Sequence, residues 1–485
     1  MIKHLAVIAL LIFMIFIYSC GDTEPDADSE TADSSVIETE NVPDETQRIA
    51  YDPQVDYEGY EFRLINYDNA TENEWTGIPN DLFVEGESGE RLNDSVWRRN
   101  AAVEEAINIS ISGLPYADNQ MMNLINKSVN AADDVFDAAF PRMYMMSRLV
   151  GGDLLYDLNA VQTFDFNQPW YNQKSIASLQ MYGKLFAVSA DVTYQDKLSS
   201  YVTFFNQQTA ADFQLPDLYP LVDGNKWTLD KMIEIGELVS GDIDGNGIYD
   251  TSDRYGIACQ NDAVYILLHG GDMKICAADG DGNILFNLGG EKETNALIKI
   301  YELFVDNRRF FNRQTYKMSM YDAINMFNEN RALFLIRPVQ SLFMMREMDA
   351  DFGILPIPKL NEEQENYGAA VNPYTATLTC LPVSVRDPER SARVLQYASY
   401  ESYYTVNEPL YEYVLGAKLI RDEISSKMLD ITFDNRNFDI GLIWNFAGIA
   451  DTLISNTDTD VASMIAAQTE KVNSDIKKLE DSLTG

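Results

Sequence analysis

From residue 60 onward the chain alternates strand-period and helix-period segments, and that order admits few folds. Tyr60, Phe62 and Leu64 interleave with polar or charged residues. Asp94 to Glu105 reads as a helix, with Val96, Trp97 and Val103 apolar and acids and arginines between. Ile107-Asn108-Ile109-Ser110-Ile111 is a strict period-two strand. A Met/Leu/Ile helix near 118–129 leads into Val135-Phe136-Asp137-Ala138-Ala139-Phe140, a buried strand. Strand, helix, strand, helix, strand implies a parallel sheet with right-handed crossovers, hence an α/β fold.

A second α/β block begins at Tyr201-Val202-Thr203-Phe204-Phe205. Its clearest helix opens at Trp227-Thr228, with Thr228 as N-cap, Asp230 in the first turn, and Met232, Ile233, Ile235 and Leu238 as the buried stripe. Asp279-Gly280-Asp281-Gly282-Asn283 predicts a hairpin turn. Thr377 to Leu381 reads as a strand, Arg386-Asp387-Pro388-Glu389 leads a helix through Leu395, and Asp458 to Leu483 is a long polar helix. No repeat of 20 to 50 residues is evident, which disfavours a solenoid. Some 435 residues exceed one comfortable core and predict two lobes.

The N-terminus carries an address. Lys3 precedes uncharged residues from Leu5 to Tyr18, then Ser19 and Cys20. Such an apolar run covers roughly 21 Å, short of a ~30 Å hydrocarbon core, so it reads as a secretory signal (residues 1–19) rather than a permanent span. Ile17-Tyr18-Ser19-Cys20 resembles a bacterial lipobox, whose Cys is lipidated and becomes the mature N-terminus. Residues 21 to 50 then hold ten acids against Arg48 and few apolar groups. Such a segment cannot offset its chain entropy by burial, so residues 20–55 are expected to form an acidic, disordered tether.

The formal net charge of −40 exceeds what the tether supplies, so the folded part is acidic too. That argues against nucleic acid, which wants Lys and Arg, and is compatible with neutral or cationic ligands and with Ca²⁺. Beyond Cys20 only Cys259, Cys276 and Cys380 remain, with no metal-site spacing. They read as buried apolar residues, with a Cys259–Cys276 bridge left open. His4 leaves with the signal, and His269 alone builds neither a zinc cluster nor several catalytic constellations.

Asp242-Ile243-Asp244-Gly245-Asn246-Gly247-Ile248-Tyr249-Asp250-Thr251-Ser252-Asp253 follows the Ca²⁺-loop spacing. The ligand positions fall on Asp242, Asp244, Asn246, Ile248 (by its carbonyl), Asp250 and Asp253, with Gly247 at the turn. The last position departs from the pattern, carrying Asp where a bidentate Glu is usual. The expectation is structural calcium, against a metal-free acidic loop held by its own turns.

Lys226-Trp227-Thr228-Leu229-Asp230-Lys231-Met232, the Asp-rich loop, and Arg254-Tyr255-Gly256-Ile257 together resemble extracellular solute-binding protein family 1. These are the carbohydrate-type, maltose-binding-protein-like receptors of ABC importers. Leu92 to Asn100, Tyr182 to Ala187, and Asp351 to Lys359 are similar to it as well. The resemblance implies a two-lobed periplasmic-binding-protein type 2 fold with hinge strands between the lobes. It places 56–192 and 372–430 in lobe 1, and 193–371 and 431–485 in lobe 2. It implies no catalysis, a monomer lipid-anchored at the outer face of the bacterial cytoplasmic membrane, ABC permease partners and a sugar or oligosaccharide ligand.

Pyranose faces stack on aromatic rings while hydroxyls seek planar polar partners. On that chemistry the candidate ligand-binding residues are Trp75, Tyr144, Trp170, Tyr171, Tyr194, Arg337, Tyr374 and Trp444. Trp97 and Trp227 lie on helices with apolar periodicity and read as packing residues. An exported carbohydrate-active hydrolase using two carboxylates, and a receptor for peptides or another polar solute, remain open at this level.

Overall fold

A computed structural model describes residues 48–51, 53–67, 80–306, 310–312, 322–346, 348–416 and 423–485. The signal segment, Cys20, most of the tether and Trp75 lie outside the described residues.

The first lobe is built on β1 (Tyr60–Tyr67), α1 (Arg91–Ile107), β2 (Ile109–Tyr116), α2 (Asp118–Ala131) and β3 (Ala138–Phe140). Its strands lie in the order β2-β1-β3, all parallel, with Tyr60 opposite Ile109 and Leu64 opposite Ala138. The Glu90 carboxylate accepts from the Asn93 N–H and caps α1, which buries Leu92, Val96, Val103 and Ile107. Those spacings put one apolar face on the sheet. Asn108, left-handed at φ 52°, stops the helix, so β2 starts two residues later than the alternation predicts. Trp97 stands on the opposite face, 37% exposed, and is not the packing residue its helical setting suggested.

The second lobe begins at β4 (Tyr201–Asn206) and continues through α3 (Leu229–Val239), β5 (Tyr255–Cys259) and α4 (Ala263–Gly270). Then come the hairpin β6 (Cys276–Ala278) and β7 (Ile284–Phe286), α5 (Glu291–Val305), β8 (Phe310–Asn312), β9 (Ala332–Pro338) and β10 (Phe352–Leu355). The sheet order is β10-β4-β9-β5-β8. β5 runs parallel to β8 and β9, while β4 is antiparallel to both its neighbours.

The Thr228 hydroxyl caps α3 by accepting from the Lys231 N–H. Trp227 is fully buried and donates Nε1–H to the Pro356 carbonyl at 2.8 Å. Met232, Ile235 and Val239 face the sheet, but Leu238 turns outward. α3 can press onto β5 because two glycines meet there: a Cβ on Gly256 would lie 2.4 Å from the Gly236 Cα.

Two of the segments that cross between the lobes run side by side. Val188 bridges Thr379, and the next residue, Cys380, bridges Ala139 of β3, so both stretches extend the first sheet. The chain then runs through residues 189–200 into β4 and returns through 371–377. The crossings are fastened by the Asn372 N–H to the Ser199 carbonyl at 2.9 Å and by Thr193 Oγ1 to Thr377 Oγ1 at 3.3 Å.

Past the return, α6 (Pro388–Thr405) packs on α1, whereas α7 (Glu423–Asp434) packs on β10 of the second sheet. The chain therefore leaves lobe 1 before residue 423, earlier than the expected 430. β12 (Arg436–Asn437) pairs with β11 (Ala369–Ala370), and α8 (Ile440–Trp444) and α9 (Val461–Thr484) follow. Cys259, Cys276 and Cys380 are buried and in no disulfide, so no Cys259–Cys276 bridge forms.

Candidate functional site

A cavity of about 300 Å³ opens where the carboxyl ends of the two sheets meet. This edge is where open α/β sheets bind ligands, because the loops leaving the strands splay apart there. Arg142 comes from the loop after β3 in lobe 1. Gln260 and Asp262 follow β5, Arg337 lies at the end of β9, and Tyr201 opens β4. Because β4 is antiparallel, its first residue reaches the edge at which β5 and β9 end. Asn372 and Tyr374 come from the returning crossing.

The groups on the second-lobe side form a chain of polar contacts. Tyr201 Oη donates to Asp262 Oδ2 at 2.9 Å, accepts from Asn372 Nδ2 at 3.2 Å, and lies 3.3 Å from Tyr265 Oη. Burial, reinforced by the Asp262 carboxylate, pushes the Tyr201 and Tyr265 phenols well above their ordinary range. Both stay neutral donors at physiological pH. Asp262 is an acceptor, Gln260 offers both roles, and the Arg337 guanidinium is donor-only. Such a mixture suits a ligand dense in hydroxyl groups.

Tyr374 is the aromatic element. Tyr374 is 48% exposed, and its ring lies 5.3 Å from the Tyr144 ring, the planes 38° apart. Burial raises the Tyr374 pKa, helped by the charges of Asp451 and Asp262.

The structure sorts the sequence candidates. Arg337 and Tyr374 line the cavity, and Tyr144 backs Tyr374. Trp170, only 1% exposed, meets Tyr51 and Tyr400 edge-on and is a core residue of lobe 1. Tyr171 is buried against Phe164 and Phe166. Tyr194 is buried in the first crossing, where its N–H donates to Asp81 Oδ2. These three are corrections: the large ring is used for packing, not display. Trp444 ends α8, which packs on residues 143–145, but it does not line the cavity. Sequence reasoning missed Arg142, Tyr201, Gln260, Asp262 and Asn372. Their signal was position, each lying at or within a few residues of a strand end or crossing.

The Asp-rich loop gathers the Asp242, Asp244 and Asp253 carboxylates so that one oxygen of each lies within 4.8 Å of the others. Gly245 and Gly247, at φ 70° and 79°, turn the chain around that point. Asp242 accepts from the Gly245 and Gly247 N–H groups, both at 2.7 Å. The Gly247 N–H leads in holding its carboxyl below the usual range. Buried Asp253 accepts from the Ile243 and Asp250 N–H groups. Asn246 Oδ1 and Asp250 Oδ1 each take a local N–H, from Ile248 and Ser252. The all-oxygen donor set fits a hard divalent cation.

No protein-family model matches the sequence, and no curated protein matches it. Solved structures do resemble the fold. M. tuberculosis UspC is 12% identical, covering 86% of this chain and 100% of its own, at a TM-score of 0.56. A cyclo/maltodextrin-binding protein complexed with maltotetraose is 12% identical over 88% of this chain and 99% of its own, at 0.55. The maltose-binding periplasmic protein MalE from Listeria monocytogenes, in complex with maltose, is 13% identical over 88% and 98%, at 0.52. The chain has the two-lobed α/β fold of the maltose- and maltodextrin-binding proteins.

Proposed function

We propose that this protein is the substrate-binding component of an ABC importer, capturing a sugar or oligosaccharide between its lobes and delivering it to permease subunits. The observation that carries the reading is the cavity itself. A displayed tyrosine ring stands among neutral and charged hydroxyl-matching groups at the junction of the two sheets. The binding proteins of like fold include some complexed with maltose and maltotetraose. A glycosidase needs two carboxyl groups about the scissile bond, and Asp262 is the one carboxylate among the described lining residues. That favours a receptor over the hydrolase alternative.

The lipobox-like Ile17–Cys20 stretch and acidic leash support an anchored receptor at the outer face of the cytoplasmic membrane. Two acyl chains hold firmly where one alone is marginal, and a leash keeps the receptor near its permease at high effective concentration. Among the described residues no helix is long and apolar enough to cross a membrane. Asp242, Asp244 and Asp253, with help from Asn246, Asp250 and the Ile248 carbonyl, none of which lines the cavity, would hold a structural Ca²⁺.

The test is a thermal-shift screen across mono- and oligosaccharides, repeated with peptides. A binder of the folded state raises the midpoint with concentration. Saccharide binding without turnover is the expected result. Release of reducing ends from an oligosaccharide, or response to peptides alone, would overturn the reading.

A further inference from the structure

We propose that Asp118, which does not line the cavity, is a positioning residue that sets where the Tyr374 ring stands. The proposal rests on the reading of Tyr374 as a ligand platform. Asp118 is the first residue of α2, where the helix dipole favours a carboxylate. It grips Arg142 with both oxygens, Oδ1 accepting from Nε at 3.1 Å and Oδ2 from Nη2. The same Oδ2 accepts the Tyr144 hydroxyl.

Arg142 passes that constraint onward. Its Nη1 donates to the main-chain carbonyl of Tyr374 at 2.6 Å. Its guanidinium carbon lies 4.0 Å from the centre of the Tyr67 ring and 5.2 Å from that of Tyr144. Tyr144 is held in turn by its own N–H to the Pro373 carbonyl at 3.1 Å, and its ring backs Tyr374. One carboxylate thus fixes the platform twice, through the Tyr374 backbone and through the ring behind it. Every nitrogen of Arg142 is engaged within this assembly, so although it borders the cavity its role is support. A planar fork is needed because three directions must be satisfied at once, which a lysine ammonium on a flexible stem does not reproduce.

The experiment compares wild type with Asp118→Asn, Asp118→Glu and Arg142→Lys in the full chain. Hydrogen–deuterium exchange of residues 372–377 reads the platform directly, and calorimetry with maltotriose reads its use. Exchange in 372–377 is expected to accelerate in D118N and R142K with the β4 and β9 amides unchanged, and D118E is expected to restore part of the protection. Maltotriose binding is expected to weaken about tenfold in D118N, the scale of one lost aromatic contact. Exchange in 372–377 unaltered by either D118N or R142K would overturn the proposal, as would accelerated exchange with full maltotriose affinity. Faster exchange with no maltotriose binding by wild type would leave Asp118 setting the loop and count against the platform it serves.

Discussion

Asp196 and Arg436, each almost wholly buried, form an ion pair at 3.0 Å that ties the first crossing to β12. Asp196 also accepts from the Ser189 hydroxyl and the Lys197 N–H, so its charge is compensated within the crossing. Breaking one side of a buried pair leaves the other charge stranded, at a cost of about 3–5 kcal/mol. Arg436→Gln is therefore expected to lower the unfolding free energy measured in urea by that scale. A loss near zero would mean that Ser189 and the backbone alone satisfy Asp196.

Tyr374→Ala removes a half-exposed ring and disturbs little of the core, so thermal stability should hardly move. Saccharide affinity should fall about tenfold, since such ring contacts are worth around 1 kcal/mol beyond their buried area. Titration calorimetry against the saccharide with the largest thermal shift checks it; equal affinity in wild type and variant would show that the ring is not used.

Chelation should lower the unfolding midpoint if the Asp242–Asp253 loop holds Ca²⁺, because removing a ligand that binds only the folded state destabilises it. Asp244→Ala should abolish that sensitivity, as Asp244 is one of the three converging carboxylates. A midpoint indifferent to chelator in wild type, with no metal found in the purified protein, would refute the site.

Tyr60 gives a prediction at high pH. Burial, then its hydrogen bond to Asp137 at 2.7 Å, raises its pKa to about 12 from 10.0. A group whose pKa is raised by folding contributes stability that is complete below its unfolded value and lost as pH climbs through its folded value. The loss therefore falls between about pH 10 and pH 12. Thermal melts over that range should decline more steeply for wild type than for Tyr60→Phe, and parallel curves would contradict the assignment.

Much of the local structure was legible in the sequence. Thr228 caps its helix, Asp387 caps α6 by accepting from the Arg390 N–H, and Asp279 folds the β6–β7 turn by accepting from the Asp281 and Asn283 N–H groups. These signals are local, because cap and turn partners lie within a few residues. The aromatic candidates show the limit. Trp170 and Tyr374 both sit in polar, loop-like sequence, yet one is 1% exposed and the other 48%. What separates them is a partner far along the chain: Trp170 meets Tyr400, while Tyr374 rests on Tyr144 and leaves its other face open.

The alternation of strands and helices, the caps and turns, and the spacing of the Asp-rich loop are properties of neighbours in the chain and are written directly into it. Long-range packing, by contrast, selects which polar residues share a cavity. Arg142, Asp262, Arg337 and Asn372 are far apart in sequence and meet because two parallel edges point their carboxyl ends at one another. It also decided which rings are displayed, because burial is set by what packs across from a residue rather than by what stands beside it in the chain.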